Sequence, residues 1–227
     1  MPIFALSDAF VFPPAHLASP EGLLAVGGDL SPQRILKAYK NGIFPWYSDD
    51  GPILWWSPDP RMILLPGKFK VSKSLKRTMS ANRFEVSMDR SFERVIGQCA
   101  RIRTDKGQGT WITGDMEAAY VRLHAMGYAH SVEIWLDEKL VGGLYGLSLG
   151  RCFFGESMFS RVRDASKVGL YHLCRHLEAK RFELIDCQVP SEHLKSLGAT
   201  AVSRKSFLLM LKKSLRHPTL LGNWTAV

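Results

Sequence analysis

The sequence predicts a mixed α/β (α+β) fold in which a small N-terminal domain, residues 1–60, precedes a larger C-terminal domain, residues 61–227. The length of 227 residues allows one large domain or two small ones. A segment rich in proline, glycine and aromatic residues ends near residue 60 and marks a junction. Beyond it, segments with strand periodicity alternate with segments of helical periodicity, which favours a mixed sheet covered by helices.

The N-terminal part contains one well-defined helix. Ser31 is a suitable N-cap residue and Pro32 fits the first helical position. Tyr39 belongs to the apolar face of this helix, and Gly42 is suited to end it. Residues 42–61 contain too many turn-forming and aromatic residues to form a long regular element.

The C-terminal part alternates between strands and helices. The predicted elements are a strand at 84–88, helices at 91–103 and 115–126, a hairpin at 130–136 and 140–149, a strand from 151, a helix at 165–180, a strand at 182–188, and helices at 190–197 and 203–215. Gly142, Gly143 and Gly146 lie inside a strand and indicate close approach by another part of the chain. Residues from 216 onward are expected to be loosely held.

Positive charge is concentrated in one stretch. The chain has a net charge of +9, and residues 61–106 alone carry twelve basic and four acidic side chains, a net charge of +8. Such a stretch attracts a polyanion, and phosphate contacts provide affinity without reading sequence. The alternative is a solvated basic surface that only aids solubility.

Several classes of protein are excluded. Cys99, Cys152, Cys174 and Cys187 are widely spaced without metal-ligand spacing, so we expect buried free thiols in a reducing cytosol and no metal site. No stretch of 18 apolar residues occurs, so no membrane-spanning helix is expected. The N-terminal residues lack the features of a secretory signal, which favours a cytoplasmic protein.

The order of elements over residues 84–215 resembles the acyltransferase sheet of the GNAT type. In that sheet the two strands of a strand–helix–strand unit splay apart around an acyl donor. The resemblance implies an acyltransferase domain in the C-terminal part of the chain.

A set of ordered motifs resembles the bacterial leucyl/phenylalanyl-tRNA–protein transferases. The motifs are GGDLSP (27–32), GIFPW (42–46), ILWWSPDPR (53–61), GTWIT (109–113), GESMFS (155–160), LIDCQ (184–188) and HLKSLGA (193–199). Each motif alone is weak, whereas the ordered set is specific. The resemblance implies transfer of Leu or Phe, with Met as a further candidate, from aminoacyl-tRNA to the N-terminal Arg or Lys of an acceptor protein. It also implies that the product is marked for degradation and that the catalytic domain is GNAT-like. No cofactor is expected for the transfer.

Asp186 and Gln188 are the predicted catalytic residues. Side chains alternate along a strand, so both should share a face at its C-terminal end, where α/β sheets often hold their sites. An α-amine with a pKa near 8 is mostly protonated at neutral pH, and a carboxylate can hold the ammonium and help remove a proton. The alternatives are that Asp186 caps the next helix and that the tRNA ribose hydroxyl carries the proton.

The resemblance also implies which residues contact the acceptor and which contact the donor side chain. Glu156, in a glycine-flanked turn, is expected to receive the basic side chain or the amine of the acceptor, unless it is a solvent-exposed strand end. The side-chain pocket of the donor is expected to consist of Leu144, Phe153, Met158 and Phe159, although each is equally suited to a plain core. Leu144 stands where the family motif GGMYG has Met, which leaves the preference among donor side chains open.

The end and body of the tRNA have separate candidate contacts. Trp111 is expected to stack on the terminal adenine, worth roughly 1–3 kcal/mol, with further candidates in Trp46, Tyr39 and Tyr120. The candidate phosphate contacts are Lys73, Lys76, Arg77 and Arg83. Trp55 and Trp56 are expected to pack in the core between the two domains, and a structural role is expected for His130 and His193.

Two other functions compete with this interpretation. An acetyl-CoA-dependent GNAT enzyme would need a glycine-rich pyrophosphate loop, but residues 161–166 lack both glycines and contain Asp164, which would repel phosphate. A non-catalytic RNA-binding module would explain the basic stretch but not an Asp186 and Gln188 pair beside Glu156. We expect no membrane partner and a monomeric protein.

Overall fold

The computed structural model describes residues 3–104 and 110–225. Lys106 of the basic stretch and Gly109 of the GTWIT motif lie outside these ranges. The strands are β1 (Phe4–Leu6), β2 (Leu23–Gly27), β3 (Phe44–Pro45), β4 (Leu54–Trp56), β5 (Arg61–Leu64), β6 (Glu85–Met88), β7 (Ala129–Leu136), β8 (Lys139–Leu149), β9 (Cys152–Ser160), β10 (Leu184–Gln188) and β11 (Thr200–Val202). The α-helices are α1 (Pro32–Lys40), α2 (Lys73–Ser80), α3 (Phe92–Thr104), α4 (Gly114–Ala125), α5 (Ala165–Ala179), α6 (Glu192–Ser196) and α7 (Arg204–Ser214).

The strands form two sheets, and the predicted mixed α/β fold is confirmed. A four-stranded sheet has the order β1-β2-β4-β3, and a seven-stranded sheet has the order β11-β5-β10-β9-β8-β7-β6. Within the larger sheet β9 and β10 pair in parallel, while the other described pairs are antiparallel. Helix α5 connects β9 to β10, so these three elements form the predicted strand–helix–strand unit. The domain boundary near residue 60 stays a prediction.

The larger sheet is covered on both faces. Helix α5 packs on β7 and β8 and is contacted by α2, whereas α3 packs on β7, β8 and β9 and is contacted by α4. The core on the α3 side also includes Ile35 and Trp55 from the N-terminal part, together with Phe154 and Phe207. Trp55 is fully buried, as predicted, and its indole N–H donates to the Gly27 carbonyl over 2.8 Å. The N-terminal sheet is therefore joined to the larger sheet through a shared apolar core.

Two irregularities shape the C-terminal ends of β9 and β10. The pairing of β8 with β9 shifts so that Glu156 is an extra residue on β9. The pairing of β10 with β5 shifts in the same way at Cys187. The last residue of β10 that pairs with β9 is Asp186, opposite Phe154, and beyond this pair the two strands separate. Gln188 then has a left-handed backbone conformation with φ of 63°. The direction of its side chain is therefore not set by regular strand alternation.

The close approach predicted at the glycines of β8 is confirmed. A Cβ atom on Gly142 would lie 2.6 Å from the Cβ of Ala165 in α5. A Cβ atom on Gly146 would overlap the carbonyl oxygen of Phe154. These glycines let α5 and β9 lie tightly against β8.

The expectation that the chain is loosely held from residue 216 is wrong for residues 216–225. Trp224 is buried, and its ring stacks on the His130 imidazole with 3.6 Å between the ring centres. Its backbone N–H donates to Asp89, which also pairs with His130. The hydroxyl of Thr219 accepts a hydrogen bond from the Gly150 backbone. The apolar ring of Trp224 and these polar contacts hold the segment, and His130 has the structural role predicted for it.

Candidate functional site

Glu156 lies at the centre of a buried polar cluster. Its Oε1 accepts hydrogen bonds from the Tyr39 hydroxyl at 2.7 Å and from the Gln188 side-chain amide at 2.9 Å. Its Oε2 accepts from the Tyr120 hydroxyl at 3.1 Å, and the two tyrosine oxygens are 2.5 Å apart. Burial raises the pKa of Glu156 to about 7, although the hydrogen bonds from both tyrosines act to lower it. This carboxyl therefore changes its protonation near neutral pH.

Asp186 forms a fully buried ion pair with Arg61. The guanidinium Nε donates to Oδ1 at 2.8 Å and Nη2 donates to Oδ2 at 2.6 Å, and both side chains are 0% exposed. Arg61 also donates to the Gly42 carbonyl at 3.1 Å and lies between the rings of Phe44 and Phe207. The pair thus connects β5 and β10 with the segment after α1 and with α7.

The same carboxylate holds the backbone of Gln188. Asp186 Oδ1 accepts the Gln188 backbone N–H at 2.9 Å, while the Gln188 side chain reaches Glu156. The alternative role for Asp186 as the cap of the next helix is wrong, because Ser191 is the N-cap residue of α6. Asp186 faces Arg61 rather than open space, and its contact with the Glu156 cluster runs through the Gln188 backbone.

Arg61 is a site residue that the sequence analysis missed. It was counted with the basic surface stretch, whereas it is among the largest fully buried side chains. One signal could have identified it, since Arg61 opens the otherwise apolar segment RMILL, and a buried strand would carry it inward.

An apolar cavity of about 260 Å³ lies between α5 and the separating strands β9 and β10. Its lining includes the predicted residues Leu144, Phe153 and Met158, with Glu156 and Gln188 at one end. The sequence analysis missed further lining residues, which are Leu170, Leu173, Ile185, Cys187 and Leu194. His193 also lines this cavity, although the residue as a whole is exposed.

The structure places Phe159 outside the predicted side-chain pocket. It does not line the apolar cavity but lies in the core on the opposite face of the sheet. Its ring packs close to Gly143 there. Because side chains alternate along β9, Met158 and Phe159 point to opposite faces.

A second cavity, about 240 Å³ in volume, lies beside the N-terminal sheet. Trp46 and Trp111 line it together with Phe44 and Pro45, and Trp46 is 41% exposed. Glu156, Cys187 and Gln188 line both cavities. The cluster around Glu156 therefore lies where an apolar cavity meets an aromatic cleft.

Tyr39 and Tyr120 do not fit the predicted stacking role. Both rings are fully buried, and neither lines the aromatic cleft. A base could not lie against a ring that is enclosed in the core. Their hydroxyls reach the site instead, through Glu156.

The predicted phosphate contacts are exposed. Lys73, Lys76 and Arg77 lie on α2, and Arg83 follows this helix with its guanidinium over the Phe84 ring. The basic stretch does not form one surface, because α2 packs against α5 while α3 covers the opposite face of the sheet. The basic residues that could bind a polyanion together are therefore those on α2 and directly after it.

A larger cleft of about 620 Å³ lies away from Glu156. It runs between α2, β6 and α5 and is lined by Arg83, Arg175, His172, His176 and Trp224, among others. Size alone does not make this cleft the reaction site, because it lacks the residues of the Glu156 cluster.

The turn before α5 does not suit a pyrophosphate. Asp164 precedes the helix and pairs with Lys167 at 3.0 Å while accepting the Thr78 hydroxyl at 3.2 Å. A carboxylate beside the helix N-terminus repels the phosphate that such a turn would otherwise attract. This turn gives no support to an acyl-CoA donor.

Among residues 3–104 and 110–225, no three His, Cys, Asp or Glu side chains are grouped so that they could hold a metal ion. None of the helices in the described part of the chain has the length and apolar character needed to cross a membrane.

Comparison with known proteins identifies one family. The family model described as leucyl/phenylalanyl-tRNA protein transferase matches residues 63–212, and the model of that family's N-terminal domain matches residues 28–59. Proteins named leucyl/phenylalanyl-tRNA--protein transferase are 54% identical over 224 residues in Desulforapulum autotrophicum and 56% identical over 225 residues in Desulfatibacillum aliphaticivorans. The alignments cover 99% of this chain and 98% and 97% of those proteins.

Solved structures show weaker likenesses. An aminoglycoside acetyltransferase from an uncultured soil sample is 14% identical with a TM-score of 0.40, over 52% of this chain and 84% of that one. The ribosomal-protein-alanine N-acetyltransferase from Brucella melitensis is 15% identical with a TM-score of 0.40, over 52% of this chain and 93% of that one. Neither likeness is close enough to support a statement about this chain.

The buried ion pair can be tested by a double-mutant cycle. We expect Asp186→Asn and Arg61→Met each to lower the free energy of unfolding by about 3–5 kcal/mol, because each leaves one buried charge unpaired. The double variant should lose much less unfolding free energy than the sum of the two single losses. The measurement is urea denaturation of all four proteins. Glu85→Gln, which breaks the exposed pair with Arg90, is the control and should have a far smaller effect. Simple additivity of the two single losses would contradict a coupled pair.

The raised pKa of Glu156 predicts how stability depends on pH. Its value of about 7 lies above the ordinary 4.5, so the folded state binds more protons than the unfolded state between these pH values. Stability from this group is therefore present at low pH and is lost as pH rises from 4.5 to 7. Relative to Glu156→Gln, the wild type should lose on the order of 3 kcal/mol over this interval and nothing further above it. The check is chemical denaturation of both proteins at pH 5, 6, 7 and 8, and a difference that is independent of pH would disprove it.

Proposed function

The chain belongs to the leucyl/phenylalanyl-tRNA–protein transferase family, and from this premise we propose that it transfers Leu or Phe from aminoacyl-tRNA to the N-terminal amine of an acceptor protein. The observation that carries the proposal is that Glu156 and Gln188 line both the apolar cavity and the aromatic cleft. The acceptor is proposed to begin with Arg or Lys and to be marked for degradation by the transfer. The protein is proposed to act as a monomer in the cytoplasm, without a cofactor.

The apolar cavity is the proposed site of the donor side chain. Its volume of about 260 Å³ and its lining by Leu144, Phe153 and Met158 suit a branched aliphatic or an aromatic group. The flexible thioether of Met158 can adapt to either shape. A Met side chain is a further candidate guest for the same reason.

The aromatic cleft is the proposed site of the tRNA 3′ end. Trp111 and Trp46 offer flat rings beside Glu156, so the terminal adenine can stack while its ester lies at the reacting centre. The body of the tRNA is proposed to contact Lys73, Lys76, Arg77 and Arg83 through phosphates.

The proposed reaction relies chiefly on positioning. The aminoacyl ester is already activated, so holding the amine against its carbonyl carbon can supply most of the rate. Gln188 is the proposed polar contact to the reacting groups, and Asp186 is proposed to orient it from behind. Glu156 is proposed to receive the positive charge of the acceptor.

The transfer itself is tested with charged tRNA. The protein is incubated with Leu-tRNA or Phe-tRNA and a peptide that begins with Arg, and the peptide is weighed by mass spectrometry. We expect a gain of one Leu or Phe residue, and no gain when the peptide amine is acetylated. Acetyl-CoA in place of the charged tRNA should give no product. If charged tRNA gives no product under any condition, the proposed function is wrong.

Two sets of variants separate the contacts to the tRNA. Trp111→Ala is expected to raise KM for aminoacyl-tRNA but not for peptide, because it removes a stacking surface of roughly 1–3 kcal/mol. Lys76→Glu with Arg77→Glu should weaken binding of uncharged tRNA and reduce its dependence on salt. Steady-state kinetics and a tRNA titration at two salt concentrations measure these effects. A rise confined to the peptide KM in Trp111→Ala, or unchanged binding after charge reversal, would remove these assignments.

A further inference from the structure

We infer that Glu156, in its triangle with Tyr39 and Tyr120, is the group that takes a proton from the α-ammonium of the acceptor. The inference rests on the proposed function and assigns the proton that the reaction must remove. It goes further than charge recognition, which would need only a carboxylate near the acceptor.

The geometry of the triangle calls for three protons. Three oxygen pairs are in contact: the tyrosine oxygens at 2.5 Å, Tyr39 with Glu156 at 2.7 Å, and Tyr120 with Glu156 at 3.1 Å. Each such contact needs one hydrogen, and the two tyrosines supply only two. When Glu156 is ionised, one contact therefore has no hydrogen. A proton on the carboxyl fills it, with Glu156 donating to Tyr120, Tyr120 to Tyr39, and Tyr39 back to Glu156.

The surroundings also favour a carboxyl that can be neutral. The charged and titratable groups near it are Tyr39 on α1, Tyr120 on α4, Tyr145 on β8, Asp186 on β10 and Arg61 on β5, and Cys187 and His193 line the same cavity. Arg61 and Asp186 balance each other at 2.6 Å, so their pair adds little net charge. Burial raises the pKa of both Tyr39 and Tyr120 well above its usual range, so the hydroxyls keep their protons. Within the triangle, Glu156 is thus the group able to gain a proton.

Glu156 is also within reach of both substrates. Its side chain lines the apolar cavity and the aromatic cleft, which are the proposed sites of the donor side chain and the terminal adenine. An ester held across the two cavities has its carbonyl carbon beside Glu156. The amine that attacks this carbon must then pass next to the carboxylate.

The proton and bond changes balance. The acceptor ammonium gives one proton to ionised Glu156 and becomes a neutral amine. Its nitrogen lone pair then forms a bond to the ester carbonyl carbon, and the bond from that carbon to the ribose oxygen breaks. The second proton of the amine ends on the ribose oxygen, which leaves as a hydroxyl, and Glu156 later returns its proton to water.

The test compares wild type with Glu156→Gln at several pH values. With a peptide that begins with Arg, kcat/KM at pH 7 should fall by about 10²-fold or more in the variant. Between pH 7 and pH 9 the α-amine, with a pKa near 8, becomes neutral without help, so the loss should shrink by about tenfold. A loss that stays constant over this range would overturn the inference and leave Glu156 as a binding residue. Absence of product from the wild type at every pH would instead contradict the proposed function.

Tyrosine variants add a readout that a structural role would not change. In Tyr39→Phe the carboxylate loses one hydroxyl donor and the triangle loses two of its three contacts, so the acidic limb of the kcat/KM profile should move. Tyr47→Phe removes a hydroxyl that bonds Thr113 outside the triangle and is the matched control, with an unmoved limb. A limb that moves equally in both variants, or in neither, would count against the triangle.

Discussion

The buried ion pair of Arg61 and Asp186 is the interaction on which the rest of the site depends. Removing two charges from water is costly, and close bidentate geometry is needed to offset that cost. An apolar pair could fill the same volume, but it could not accept the backbone N–H of Gln188. Arg61 also bonds the Gly42 carbonyl, so the N-terminal part is tied to the strand that carries the site. The pair thus sets the position of Gln188, which in turn contacts Glu156.

The two carboxylates of the site differ in their partners. Asp186 has a guanidinium against both oxygens, whereas Glu156 is bonded by two hydroxyls and an amide, all neutral. Neutral donors stabilise an ionised carboxylate only in part, so burial raises the pKa of Glu156 to about 7. Similar burial therefore produces one carboxylate suited to orient a neighbour and another suited to exchange a proton.

Local patterns in the sequence predicted most of the helices and strands, because their signals lie within a few residues. Ser31, for example, accepts the backbone N–H group of Arg34 that its capping role requires. The family motifs also identified Glu156, Asp186 and Gln188 as a group. Their partners could not be found locally, since Arg61 is 125 positions from Asp186 and Tyr39 is 117 positions from Glu156. The bulge at Glu156 likewise depends on how β8 and β9 pair, which strand periodicity does not reveal.

The proposed substrates should be selected with unequal stringency, for a physical reason. The donor side chain meets an apolar cavity, and one methylene more or less in such a cavity is worth only about 1–3 kcal/mol. An apolar wall adjusted by Met158 therefore tolerates both aliphatic and aromatic guests. The acceptor meets a largely buried carboxylate, and an ionised carboxylate in that setting is costly unless a cation or a proton arrives. Breadth toward the donor and strictness toward a positively charged acceptor thus follow from the same boundary, where the apolar cavity ends at Glu156.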